Sequence, residues 1–139
     1  MKALTIITSN AFIARSIDQS RGCSVILLGG VYQRESECLV GNLAKTCIDS
    51  LNFNRVFLGV DGYTFDSGFT GRDMMRAEIV NYLVAKGREV FILSDSSKFG
   101  QVHVSRYCSV EDVHHLITDI GLPEEYRAAF SARLDLILV

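Results

Sequence analysis

The sequence predicts an α/β domain, a three-layer Rossmann-like fold with a parallel sheet and helices on both faces. Three observations carry that prediction. Short apolar runs rich in branched residues alternate with stretches of helical period, the pattern of βα units. Glycine and small polar residues cluster immediately after the runs, where loops leave a parallel sheet. A length of 139 residues with 48% hydrophobic and 22% charged side chains suits one globular domain, 1–139, large enough to hold a core without disulfides.

The elements follow in order. The run Leu4-Thr5-Ile6-Ile7-Thr8 is a buried-strand pattern with almost no polar leader before it, so the chain reads as the continuation of a longer, N-terminally truncated sequence. Further strands are expected at 24–28, 55–60, 89–94, 115–118 and 135–139. Helices are expected at 11–19, 41–51, 71–86 and 123–132. Val40, Leu43, Ala44, Cys47 and Leu51 recur at helical spacing, as do Met75, Ile79, Tyr82, Leu83 and Lys86. Gly87 is placed to cap the third helix, and Pro123 to occupy the first turn of the fourth.

Composition narrows the function. Fourteen basic and sixteen acidic residues give a net charge of -2 with no basic stripe, so this segment is not expected to bind DNA unaided. The four cysteines show neither metal-ligand spacing nor a disulfide framework. Cys23 and Cys47 fall on apolar faces and read as small buried hydrophobes in a reducing cytoplasm. No signal segment or membrane span is expected. His103, His114 and His115 lack companions at metal spacing, no serine sits in G-x-S-x-G, and no G-x-G-x-x-G or Walker loop is present. Neither catalytic residues, a metal nor a cofactor is therefore expected.

The distinctive residues gather after the strands, where parallel sheets bind ligands. Thr8-Ser9-Asn10 follows the first, Gly29-Gly30 the second, and Gly59-Val60-Asp61-Gly62 the third. Ser94-Asp95-Ser96-Ser97-Lys98-Phe99-Gly100 follows the fourth, and Thr118-Asp119 continues the pattern more weakly. Asn10 reads as a helix cap, a role compatible with contacting an anion. The two glycines read either as a turn or as a close approach for a ligand. Asp-Gly is a common turn pair that only its position makes notable. Lys98 offers a point charge suited to phosphate or carboxylate, and Asp95 could accept hydrogen bonds from hydroxyls. Glu78, with no basic residue three or four positions away, reads either as an exposed carboxylate or as a site residue reaching toward 61–70. That stretch, long and glycine-containing, reads as a loop able to close over a ligand, or as a subunit contact through Tyr63, Phe65 and Phe69. Together these features suggest an anionic polyol as ligand.

The same residues carry a family resemblance. Thr8-Ser9-Asn10, LLGGVY at 27–32, Gly41, FLGVDGY at 57–63, Gly68-Phe69-Thr70, Ala77-Glu78, SDSSKFG at 94–100 and LITD at 116–119 resemble the sensor domain of DeoR-family transcriptional regulators over about residues 4–120. The resemblance implies a fold similar to ribose-5-phosphate isomerase, glucosamine-6-phosphate deaminase and CoA transferases. It also implies a cytoplasmic, homo-oligomeric bacterial repressor of sugar or polyol catabolism, whose separate helix-turn-helix domain binds DNA. Carried over by motif, the effector-binding positions would be Asn10, Gly29, Gly30, Gly59, Asp61, Gly62, Glu78, Asp95 and Lys98. The chain departs from the family in lacking the DNA-binding part and the opening Asp-x-Gly-Thr-Thr segment expected to hold phosphate, which implies a sheet short of its first strand.

The leading expectation is therefore effector sensing, in which a phosphorylated sugar closes the 61–70 loop and alters how subunits present their DNA-binding domains. A sugar-phosphate isomerase or deaminase using Asp61, Glu78 and Asp95 as acid or base groups is the alternative. A pure oligomerisation domain is the third reading.

Overall fold

The computed structural model describes residues 3–17 and 22–139. The last two positions of the helix expected at 11–19 lie outside the described residues. The chain divides into two compact units, Met1–Asn52 and Phe53–Val139.

In the first unit, β1 (Leu4–Thr8) pairs in parallel with β2 (Cys23–Leu27), and α1 (Ala11–Ile17) follows β1. A hairpin of β3 (Val31–Gln33) and β4 (Cys38–Val40) leads into α2 (Asn42–Asp49). Among the described residues of this unit, Leu28, Cys38, Val40, Ala44 and Ile48 are the buried apolar ones. Gly30 sits where β2 gives way to β3, at φ +139, and a Cβ there would stand 2.5 Å from the Val40 carbonyl oxygen. Conformation and space both demand glycine at that position.

In the second unit, β5 (Arg55–Gly59), β8 (Glu89–Leu93), β10 (His115–Thr118) and β11 (Asp135–Leu138) form a parallel sheet in the order β11-β10-β8-β5. Helices α3 (Met74–Lys86) and α4 (Glu124–Ser131) flank it. All six expected strands form within about a residue of their expected limits, pairing as two in the first unit and four in the second. The core gathers Val56, Leu58, Val90, Ile92 and Leu116 from the sheet with Tyr63, Phe69, Tyr107 and Phe130. Gly87 does end α3, its N–H donating to the Leu83 carbonyl, but with an ordinary φ of -71. Glycine is needed there because a Cβ would meet Val56 Cγ2 at 2.4 Å. Pro123 stands one position earlier than expected, as the N-cap of α4.

The 61–70 stretch corrects the expectation of a closing loop. It is the hairpin of β6 (Gly62–Thr64) and β7 (Gly68–Gly71), and β7 pairs again with β9 (Ser105–Cys108) to make a three-stranded antiparallel sheet. Tyr63 and Phe69 pair across it and are 3% and 0% exposed, so moving the hairpin would uncover the core. Gly68, at φ +69, closes the turn. Strands of three and four residues are too short for alternation to show in sequence.

The cysteines need a second correction. Cys38 and Cys108 are the buried thiols, whereas Cys23 and Cys47 are half-buried. The buried pair lies on the short antiparallel strands that the sequence does not reveal. Burial pushes the Cys108 thiol up to about 12, which leaves it an unreactive core group.

A charged row crosses the opposite, amino-terminal edge of the four-stranded sheet. Arg55 Nε donates to Glu89 at 2.9 Å, and His115 contacts Glu89 Oε1 at 2.7 Å and Asp135 Oδ2 at 2.9 Å. The first residues of all four strands are thus linked. Asp135, followed by Glu89, raises the His115 pKa, although partial desolvation opposes the shift. Hydrogen bonds from Arg55 and His115 lower that of Glu89. A raised histidine contributes its full stabilisation below about pH 6.5 and loses it as pH rises through its folded value. A lowered glutamate contributes above about pH 4.5 and loses its share as pH falls. Melting curves from pH 4 to 9 should therefore show the gap between the wild type and His115→Gln widest near pH 5–6 and shrinking toward pH 9. A gap that grows with pH would reverse the assignment.

Candidate functional site

In the second unit, the carboxyl ends of β5 and β8 are neighbours, since Gly59 pairs with Leu93. The segments leaving them converge. Tyr63 bridges to Phe99, and the Gly100 N–H donates to the Tyr63 carbonyl at 2.8 Å. A Cβ on Gly62 would stand 2.4 Å from the Gln101 carbonyl oxygen, so this glycine is required by the chain crossing it. The contact fixes the Asp61-Gly62 turn against the loop that carries Lys98.

Asp61 is half-buried and held by backbone on both sides. Its N–H donates to the Thr70 carbonyl, and its Oδ2 accepts the Arg72 N–H at 3.0 Å, just before α3 begins. The His103 ring contacts the Asp61 carbonyl oxygen at 3.1 Å, while the His103 N–H donates to Thr70 Oγ1. His103 and Thr70 thus support the turn, a role that spacing in the sequence does not signal because the partners lie 33 and 42 positions apart.

Asp95 caps a short 3-10 turn, Ser96–Lys98, accepting the Ser97 N–H at 3.0 Å and the Ser97 hydroxyl. The Ser97 bonds hold its carboxyl below the ordinary range, and the Lys98 ammonium adds to the effect against partial desolvation. Lys98 is half-buried and forms no salt bridge among the described residues. A lysine without a salt-bridge partner at this edge suits an anionic ligand.

Gly59 ends β5 exposed, with nothing within 4 Å of the place its Cβ would take. Gly59→Ala should leave the melting temperature within about 2 °C of wild type, because surface changes away from special backbone cost little. The methyl would occupy open space at this edge, so a ligand seated there should bind more weakly. Calorimetry on the variant checks both halves; a large loss of stability would contradict the geometry.

The remaining expected positions fall as follows. Glu78 is exposed in the second turn of α3. Asn10, Gly29 and Gly30 belong to the first unit, where they follow β1 and β2. Asn10 caps α1, its Oδ1 accepting the Ile13 N–H at 2.9 Å while its Nδ2 donates to the Ser36 carbonyl. Gly29, unlike Gly30, has room for a Cβ at ordinary contact distance from Cys47. The structure thus brings Gly59, Asp61, Gly62, Asp95 and Lys98 to one edge of the second unit's sheet.

Among the described residues no group of three His, Cys, Asp or Glu side chains is arranged to hold a metal ion. No helix among them is long and apolar enough to cross a membrane.

Residues 1–120 match the family described as the DeoR C terminal sensor domain. The chain is 30% identical over 90% of its length to the HTH-type transcriptional regulator IolR of Bacillus subtilis, covering 50% of that protein. It is 31% identical over 74% of its length to the HTH-type transcriptional regulator GlpR of Haloferax volcanii, covering 40%. A putative aga operon transcriptional repressor of Escherichia coli O157:H7 is 23% identical over 95% of the chain, which covers 49% of it. The chain spans about half the length of the curated relatives it matches. These relatives are named as regulators and the matching family is a sensor domain, which sets aside the isomerase or deaminase alternative.

Proposed function

We propose, from the premise that this chain belongs to the DeoR C terminal sensor domain family, that it senses a phosphorylated sugar or polyol and thereby controls DNA binding by a helix-turn-helix domain of the whole regulator. The observation that carries this reading is Lys98, half-buried at the carboxyl edge without an ion-pair partner among the described residues. Its ammonium would meet the phosphate. Asp61 and Asp95 each retain acceptor capacity for sugar hydroxyls, and open space above Gly59 admits a ligand to the backbone. In the second unit Gly62 and Glu78 complete the proposed effector set, and Asn10, Gly29 and Gly30 are the positions proposed for the first unit, taken by itself.

The reading extends to residues 1–139 as one sensor domain of a cytoplasmic, homo-oligomeric repressor. One of the relatives bears the name of an operon repressor. Calorimetric titration with glucose 6-phosphate, fructose 1-phosphate and ribose 5-phosphate, each beside its unphosphorylated sugar, tests the effector class. At least one phosphorylated compound should bind more than tenfold tighter than its parent sugar. Equal affinity within every pair would overturn the reading.

A further inference from the structure

We infer that Asp119, a residue outside the effector set, is a positioning residue that pins the Ser96–Lys98 turn to the frame of the second unit and so fixes where Lys98 stands. The inference rests on the proposed anion site and deepens it.

The backbone bonds of the 3-10 turn are long. Lys98 N–H to the Asp95 carbonyl is 3.2 Å, and Phe99 N–H to the Ser96 carbonyl is 3.4 Å. Such lengths lie at or beyond the long limit for this bond type. By contrast Asp119, immediately after β10, receives the Ser96 N–H on Oδ1 at 2.6 Å and the Gly121 N–H on Oδ2 at 2.9 Å. One carboxylate therefore joins the turn to a neighbouring segment.

That segment is itself fixed. The Ile120 N–H donates to the Val139 carbonyl at 3.2 Å, and the Val139 N–H to the Thr118 carbonyl at 2.9 Å. From α4, Arg127 donates to the carbonyl oxygens of Leu122, at 2.7 Å, and Ile120. Gly121 leaves room for the arrangement: a Cβ there would lie 2.7 Å from Asp119 Oδ2 and 2.9 Å from Ser96 Oγ. Asp119 thus ties to β10, β11 and α4 a turn whose other side-chain bonds, from Asp95 to Ser97 and from Gln101 Nε2 to the Ser97 carbonyl at 2.7 Å, are local to its own loop. Lys98 lies two residues along from the anchored amide. Because a bound anion is met productively only by a placed ammonium, releasing the anchor lowers affinity without touching the charge.

The test uses the whole chain, with Asp119→Ala, which removes both acceptors, and the isosteric Asp119→Asn, which keeps one acceptor oxygen and the local shape. Without ligand, amide hydrogen exchange should quicken by about tenfold or more at Ser96–Lys98 in the alanine variant and less in the asparagine variant, with Tyr63 and Gly100 unchanged. With inorganic phosphate as probe, followed by NMR, Asp119→Ala should bind about tenfold more weakly. Adding it to Lys98→Ala should cost nothing further, since residues acting through one another are not additive. An unchanged turn in both Asp119 variants, or additive losses in the double variant, would overturn the positioning role. If Lys98→Ala leaves phosphate binding untouched, the anion site fails instead, and the exchange data still decide what Asp119 does.

Discussion

Replacing Phe130 with alanine is expected to destabilise the Phe53–Val139 unit by about 3–5 kcal/mol, the usual cost of emptying a buried phenylalanine site. Phe130 is fully buried on α4, and its ring lies 4.9 Å from Tyr63, 5.7 Å from Phe99 and 6.3 Å from both Phe69 and Tyr126. These partners come from β6, from the loop after the Ser96–Lys98 turn, from β7 and from α4 itself. A cavity at 130 would therefore loosen the hairpin and the lysine loop together. Against a typical stability of about 5–15 kcal/mol, the loss should lower the melting midpoint by more than about 10 °C. Phe65 provides the internal control. It sits on the same hairpin, 54% exposed, with its ring stacked on Tyr126 at 5.0 Å. Its edge also meets Tyr63 at 5.9 Å, so Phe65→Ala should cost about 1–2 kcal/mol, the size of two aromatic pairs at a half-exposed site. Thermal unfolding followed by circular dichroism separates the two; similar losses for both variants would mean that the hairpin is not built into the core.

That contrast marks what can be read from the chain without coordinates. The parallel strands were legible because each is four or five residues of branched and aromatic side chains, long enough for the pattern to stand out. Helix α3 was legible from its helical spacing, although it begins at Met74 rather than at residue 71, capped by Asp73, whose side chain accepts the Met75 and Arg76 N–H groups. The antiparallel pieces were not, because their pairing is settled by partners far along the sequence. Phe69 pairs with Cys108, and nothing local distinguishes such a segment from a loop. At the site, Lys98 and Asp95 stood out as charged residues within a small polar run. Asp119 stood out only weakly, as a polar residue after the fifth strand, since its positioning role comes from an amide 23 positions earlier. Residues that touch a ligand announce themselves by chemical type, whereas residues that hold them in place are recognised by geometry.

Lys98→Ala is expected to weaken binding of the phosphorylated effector about 10- to 150-fold, corresponding to the 1.5–3 kcal/mol of a hydrogen bond to a charged group. The fold should be unaffected. Lys98 forms no salt bridge among the described residues, and the turn that carries it is held by backbone groups and by the Asp95 and Asp119 carboxylates. The consequence for regulation follows from arithmetic. Driving a two-state regulator from 1:99 to 99:1 takes about 5.5 kcal/mol of differential affinity, so only two or three charge-assisted contacts made in one state suffice. Under the proposed function, losing one of them should leave a regulator that still binds DNA but answers to its effector only weakly, even at saturation. Lys98→Arg discriminates charge from placement. It keeps the cation but exchanges a compact ammonium on a flexible stem for a planar fork, so binding should be retained in part rather than in full. Calorimetry on the three proteins, at low and at 0.5 M salt, reads the effect directly. Wild-type affinity should fall with salt while that of Lys98→Ala falls less, because fewer charges meet the phosphate. Equal affinities for wild type and Lys98→Ala at low salt would take the ammonium out of the site and leave the anionic part of the effector without its counter-charge.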